Sequence, residues 1–162
     1  MTAHATVVRP ADQTDVPALV ALMRAFYEES AYPLPEAQAA ATFSRLIDAP
    51  QLGSVWLIES AGHPAGFVVL TVVFSMEYGG LRGFVDDLFV APRFRRAGLA
   101  AAALDAVKRA CVARGVRALL VETSASNAPA LRVYRRAGFD DSGRLLMTLP
   151  LAPATHEAWP AS

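Results

Sequence analysis

The chain has 162 residues and a mass of 17.3 kDa, with 54% hydrophobic and 19% charged residues. Its 15 Lys+Arg balance 15 Asp+Glu, so neither a polyanion-wrapping protein nor a disordered chain is expected. This is the length of one domain, expected to bury roughly 70% of its unfolded surface without help from a disulfide or a metal.

Mean hydropathy is +0.31. The longest apolar run, Gly66 to Phe74, falls far short of the roughly 18 residues a spanning helix needs, so no membrane partner is expected. A single cysteine, Cys111, excludes an internal disulfide and a multi-cysteine zinc site. The opening MTAHATVVRPADQ lacks a charged leader followed by an apolar stretch, and a cytoplasmic location is expected.

Thr6 to Arg9 reads as a first strand, closed by Pro10. Asp12, Thr14 and Asp15 are cap formers. Val16, Leu19, Val20, Met23 and Phe26 then follow at helical spacing and predict a helix to about Glu29. A proline-bearing loop leads to a second helix, Glu36 to Asp48, with Ala40, Phe43 and Leu46/Ile47 as its apolar face. Ser54 to Glu59 and Ala65 to Phe74 read as strands around a hairpin turn, followed by a third strand from Arg82 to Val90. A helix is expected from Ala97 to Arg114, a buried strand from Arg117 to Thr123, a short helix from Asn127 to Ala137 and a last strand from Arg144 to Leu149. The order predicts an α/β mixed sheet with helices on both faces, over residues 5–150, followed by a C-terminal tail over 151–162.

The segment Leu88-Phe-Val-Ala-Pro-Arg-Phe-Arg-Arg-Ala-Gly-Leu-Ala100 runs from a strand end through an Arg/Gly turn into a helix. A helix N-terminus offers unpaired N–H groups and partial positive charge, which attract phosphate. Gly98 permits close backbone approach, Ala100 leaves room, and Arg93, Arg95 and Arg96 add charge. Neither a Walker loop nor a Rossmann fingerprint is present. On spacing alone an ordinary strand–loop–helix with solvated arginines competes evenly. A second segment, Asn127-Ala-Pro-Ala-Leu-Arg-Val-Tyr-Arg-Arg-Ala-Gly-Phe139, begins about 30 residues later.

Together the two segments resemble the GNAT superfamily of N-acetyltransferases. Phe89-Val90, Pro92, Arg95, Gly98 and Ala100 match the landmarks of its main motif, and Asn127, Ala130, Tyr134, Gly138 and Phe139 match those of the next. Many members carry Gly where Ala100 stands. The resemblance implies a largely antiparallel sheet with a parallel pair splayed at the cofactor site. It implies acetyl-CoA as donor, with its pyrophosphate on the backbone of Arg95, Arg96, Ala97, Gly98, Leu99 and Ala100. It places the pantetheine arm along Leu88, Phe89 and Val90, and Asn127 and Tyr134 near the thiol.

Asp86 and Asp87 precede Leu88. In a regular pleat at most one of them faces the acceptor, and Asp86 shares the side of Leu88 and Val90. A bulge, common here in the family, would disturb that count. Glu122 is a rival base; inside an apolar run it needs a partner such as Arg117 or Arg144. The alternatives of Asp86, Asp87, Glu122 and water stay open. Cys111 reads as a small buried hydrophobe, His63 as a solvated turn residue, and His4 and His156 as terminal. No His pair has ligand spacing, and no metal is expected.

The expected activity is acetyl transfer from acetyl-CoA to a primary amine of a small molecule or peptide, by direct attack in a ternary complex. Tyr134 would serve as acid and the Val90 N–H as oxyanion donor. The first two helices and the loop Ser75 to Arg82 are expected to shape the acceptor site, with Tyr27, Tyr32, Met76, Glu77 and Tyr78 as candidates to line it. A non-catalytic acyl-CoA-binding module on the same fold is the competing reading. No nucleic-acid partner is expected. A homodimer is possible through the apolar last strand.

Overall fold

The structure, a computed structural model describing residues 5–151, opens with β1 (Thr6–Pro10) and a single 3₁₀ turn, Gln13–Asp15. Then come α1 (Val16–Glu29), α2 (Glu36–Ile47), β2 (Gly53–Ser60), β3 (His63–Ser75) and β4 (Gly80–Val90). A second 3₁₀ turn, Pro92–Phe94, leads to α3 (Leu99–Ala113), β5 (Ala118–Val121) and α4 (Ala128–Arg136). His4, His156 and the expected tail beyond Leu151 lie outside the described residues.

The strands form a five-stranded sheet in chain order. The first four are mutually antiparallel, and β5 pairs parallel to β4. The hairpin between β2 and β3 turns on Ala61 and Gly62, both at positive φ (51° and 77°), as a two-residue turn matched to strand twist requires.

Helices cover both faces because β3 and β4 bury alternate side chains on each. Toward α1 and α2, Leu19, Phe43, Leu57, Phe67, Val69 and Phe89 form one cluster. Phe89 stacks on Phe26 at 5.2 Å between ring centroids. Toward α3, Ile58, Val68, Leu70 and Val85 meet Leu99, Ala103, Leu104, Val107 and Cys111. Each large side chain so buried is worth about 1.5–3 kcal/mol of transfer free energy. Cys111 is 5% exposed, and burial pushes its thiol pKa up, as its place on the apolar face predicts.

Asp15 is 8% exposed. The Arg9 guanidinium grips it with two bonds of 2.7 and 2.9 Å and also reaches Glu59 at 3.3 Å. Asp15 in turn accepts from the Asp12 N–H at 2.9 Å and completes a capping box. This network ties the two edge-side strands to the start of α1.

The expected strand Arg144–Leu149 is not formed. Residues 139–150 have no regular structure, and β5 remains an edge strand. The alternation of the sequence is present, but the segment lies against no strand edge, and without ladder hydrogen bonds a strand has no stability. Leu145, Leu146, Met147 and Leu149 are 63–90% exposed.

Candidate active site

The β3–β4 ladder shifts register between Val69, which faces Asp87, and Leu70, which faces Val85. Asp86 is therefore an extra residue, a β-bulge. Val85, Leu88 and Val90 pack on the α3 side, and Phe89 on the α1 side. Asp86 and Asp87 both line one cavity on the α1/α2 side. This corrects the expectation that only one carboxylate faces the acceptor and that Asp86 sides with Leu88 and Val90; the bulge breaks the pleat between them.

The cavity measures about 400 Å³. Met23 and Tyr27 of α1, Gln38, Ala39, Thr42, Phe43, Arg45 and Leu46 of α2, and Val69 and Thr71 of β3 wall it. Burial raises the Asp86 pKa. For Asp87, burial and then the Asp86 charge raise it to about 6. The Tyr27 phenol is raised by burial, then by Asp87 and Asp86.

On the other face, α4 presents Tyr134, half-buried and edge-to-face with Phe139 at 5.6 Å. Burial and then the charge of Asp87 raise its pKa. The two groups thus lie within electrostatic reach of one another. The β4–β5 pairing spans only Arg82–Val85 with Ala118–Val121, so among the described residues no strand faces that edge of β4 from Asp86 to Val90, leaving a gap in the sheet there. Ala91 donates to Ala65 across β3 at 2.8 Å. Antiparallel pairing alternates, so the N–H groups of Leu88 and Val90 point into the gap.

Beyond Val90, the turn carries Arg96 at φ 64° and Gly98 at φ 80°. Gly98 is the N-cap of α3 and brings no side-chain cap. The first N–H groups of α3 thus have no acceptor within the helix. A Cβ on Gly98 would meet nothing within 4 Å, leaving open space beside those donors. These residues fit the diphosphate of a nucleotide cofactor. Arg93 and Arg96 stand exposed beside the turn. Arg95 does not serve as a free cation: its Nε donates to the Val90 carbonyl at 2.8 Å and its Nη2 binds both Glu29 oxygens at 2.7 and 2.8 Å.

Other expectations are redistributed. Asn127 caps α4, its Oδ1 accepting the Ala130 N–H at 3.2 Å. Glu122 lies exposed just past β5 and needs no partner; Arg144 instead pairs with Glu77 at 2.8 Å. Of the proposed acceptor residues, Tyr27 lines the cavity, whereas Tyr32, Met76, Glu77 and Tyr78 do not. Both α1 and α2 line this cavity; the α2 side chains themselves are not singled out by the sequence. The signal they do leave is Gln38 and Thr42, polar residues four apart bordering an apolar stripe. Among the described residues no cluster of three potential metal ligands occurs, and no helix is long and apolar enough to cross a membrane.

The sequence matches the model of the acetyltransferase (GNAT) family over residues 17–139. The chain belongs to the GNAT family. The GNAT fold recurs in an integron cassette protein, HFX_CASS3, from the mobile metagenome of Cole Harbour Salt Marsh. It is 53% identical with a TM-score of 0.84, over 90% of this chain and 91% of that one. Aminoglycoside N-acetyltransferase AAC(6')-Iy in complex with CoA shares the GNAT fold at 20% identity and TM-score 0.79, over 92% and 97% of the two chains. A possible acetyltransferase from Clostridium difficile 630 does so at 13% identity and TM-score 0.80, over 91% and 98%. No curated protein matches significantly.

Proposed function

We propose that this chain transfers the acetyl group of acetyl-CoA to a primary amine by direct attack in a ternary complex. The observation that carries the reading is the position of Asp87. It lines the acceptor cavity, has a pKa raised to about 6, and raises the pKa of Tyr134 by its charge.

The turn from Arg95 to Ala100 holds the diphosphate on backbone N–H groups, and the open edge of β4 seats the pantetheine arm. Acetyl-CoA supplies an activated thioester carbonyl. The ionised carboxylates hold the incoming ammonium in the cavity. Asp87 takes one proton from that ammonium and frees the lone pair that attacks the thioester carbonyl, with water and Asp86 as the competing acceptors; the nitrogen sheds a further proton as the tetrahedral intermediate collapses, replacing the one that Tyr134 gives up. The Val90 N–H, aimed into the gap, steadies the oxygen that gains charge. Tyr134, kept protonated by its raised pKa, donates to the departing sulfur.

The C-terminal segment supports a homodimer. Leu145, Leu146, Met147, Leu149 and Leu151 are all largely exposed, and β5 keeps one free edge. A second copy that adds this segment to that edge satisfies both. Light scattering coupled to gel filtration should show a dimer, lost when Leu146 and Leu149 are both replaced by Asp.

Thiol release from acetyl-CoA across an amine panel, beside calorimetry with CoA, tests the main reading. Turnover with an amine is expected. CoA binding without turnover of any amine would make the protein an acyl-CoA-binding module.

A further inference from the structure

Resting on that reading, we infer that the acceptor is a monoamine with an apolar body, an alkylamine or aralkylamine, and not a polycation such as an aminoglycoside. The cavity is acidic only at Asp86 and Asp87, neighbours that form one cation site. Much of the remaining wall is apolar, from Met23, Leu34, Phe43, Leu46, Leu52 and Val69, with neutral Tyr27, Gln38, Thr42 and Thr71 between them. Among the described residues the only other charged side chain there is Arg45, on α2. Glu36, at the start of α2, is occupied by Arg24 at 2.7 Å, and Asp48, at its end, accepts from Gln13 at 2.7 Å.

These placements decide between acceptor classes. One ammonium finds two carboxylates. A second or third ammonium on the same ligand would meet apolar wall or the like charge of Arg45, and would lose its water without gaining a partner. An alkyl or aryl body, by contrast, removes apolar surface from water on both sides of the contact. At about 400 Å³ the cavity is at the small end of ligand sites, which suits such a body.

The experiment measures kcat/KM for n-alkylamines from methylamine to hexylamine, with phenethylamine, spermidine and kanamycin alongside. Hexylamine binding to the CoA-loaded protein is followed by calorimetry. Each added methylene should raise kcat/KM about fourfold until the cavity is filled. Hexylamine and phenethylamine should exceed spermidine and kanamycin by at least about tenfold. Leu46→Asp, which adds a third carboxylate to the wall, should shift the ratio of spermidine to hexylamine upward by about tenfold or more. A flat alkyl series, or kanamycin or spermidine outrunning hexylamine, overturns the acceptor class and leaves acetyl transfer standing. Hexylamine that binds tightly and in a chain-length-dependent way, with no thiol released by any amine, overturns acetyl transfer and supports the amine class.

Discussion

Asp87 lines the cavity on the α1/α2 side of the sheet and Tyr134 packs with the cluster on the α3 side, and after burial the Asp87 charge is what holds the Tyr134 phenol above its ordinary pKa. In the proposed reaction this sets a proton acceptor on the amine side and a donor on the thiol side in one field. Tyr134→Phe keeps the ring against Phe139 and removes only the hydroxyl. It should lower kcat by ~10²–10⁴-fold and leave CoA affinity and Tm nearly unchanged. Parental turnover in this variant would reduce Tyr134 to a packing residue.

The acid limb of the rate profile should report Asp87. With its pKa at about 6, kcat/KM should climb through that pH and level off above it. Asp86→Asn removes the second cause of the upward shift, so the limb should move to lower pH. A limb that stays in place would separate the two carboxylates.

Asp87 also bears on stability, with a sign opposite to most carboxylates. Its folded pKa lies above the unfolded value of about 3.9, so ionisation opposes folding and stability falls as pH rises from about 4 to about 6. Asp87→Asn should therefore lose activity yet gain on the order of 1–3 kcal/mol at pH 7.5. Thermal melts should show the gain vanishing toward pH 3.5.

Asp15 behaves in the ordinary sense. The Arg9 guanidinium beside it lowers its pKa, so its contribution is complete above the unfolded value and is lost as pH falls through the folded one. Asp15→Asn should cost ~1–2 kcal/mol at pH 7, discounted because Arg9 is partly exposed. Denaturant titrations should find parent and variant converging in acid.

Gly98→Glu places a charge in open space beside uncapped donors. It should abolish CoA binding by calorimetry, with a fold cost of ~1–2 kcal/mol for the left-handed backbone. Arg96→Ala should weaken binding far less. Arg95→Ala should lower Tm, because its partners are Glu29 and the Val90 carbonyl.

Much of this was legible in the residues. Local patterns gave every helix to within a few positions, and the two motifs located the turn at Gly98 and the tyrosine at 134. What escaped depends on contacts distant in the chain. Arg95 looked like a free cation because Glu29, on α1, is invisible to local spacing. The loop from Ser75 to Arg82 looked like an acceptor wall beside the first two helices because it is polar and aromatic, yet the helices line the cavity and the loop does not. The segment from Arg144 had the alternation of a strand but no strand edge beside it.

The bulge in β4 makes Asp86 supernumerary. Omit it from the count, and Val85, Asp87, Leu88, Phe89 and Val90 alternate between the two faces in perfect step, each on the side where the structure puts it. A chain with Asp86 deleted should fold with its core intact and Asp87 still in the cavity, having lost a single negative charge. This residue can thus be gained or lost whole without disturbing the sheet, and the electrostatic tuning of Asp87 is a one-residue insertion away from any ordinary strand.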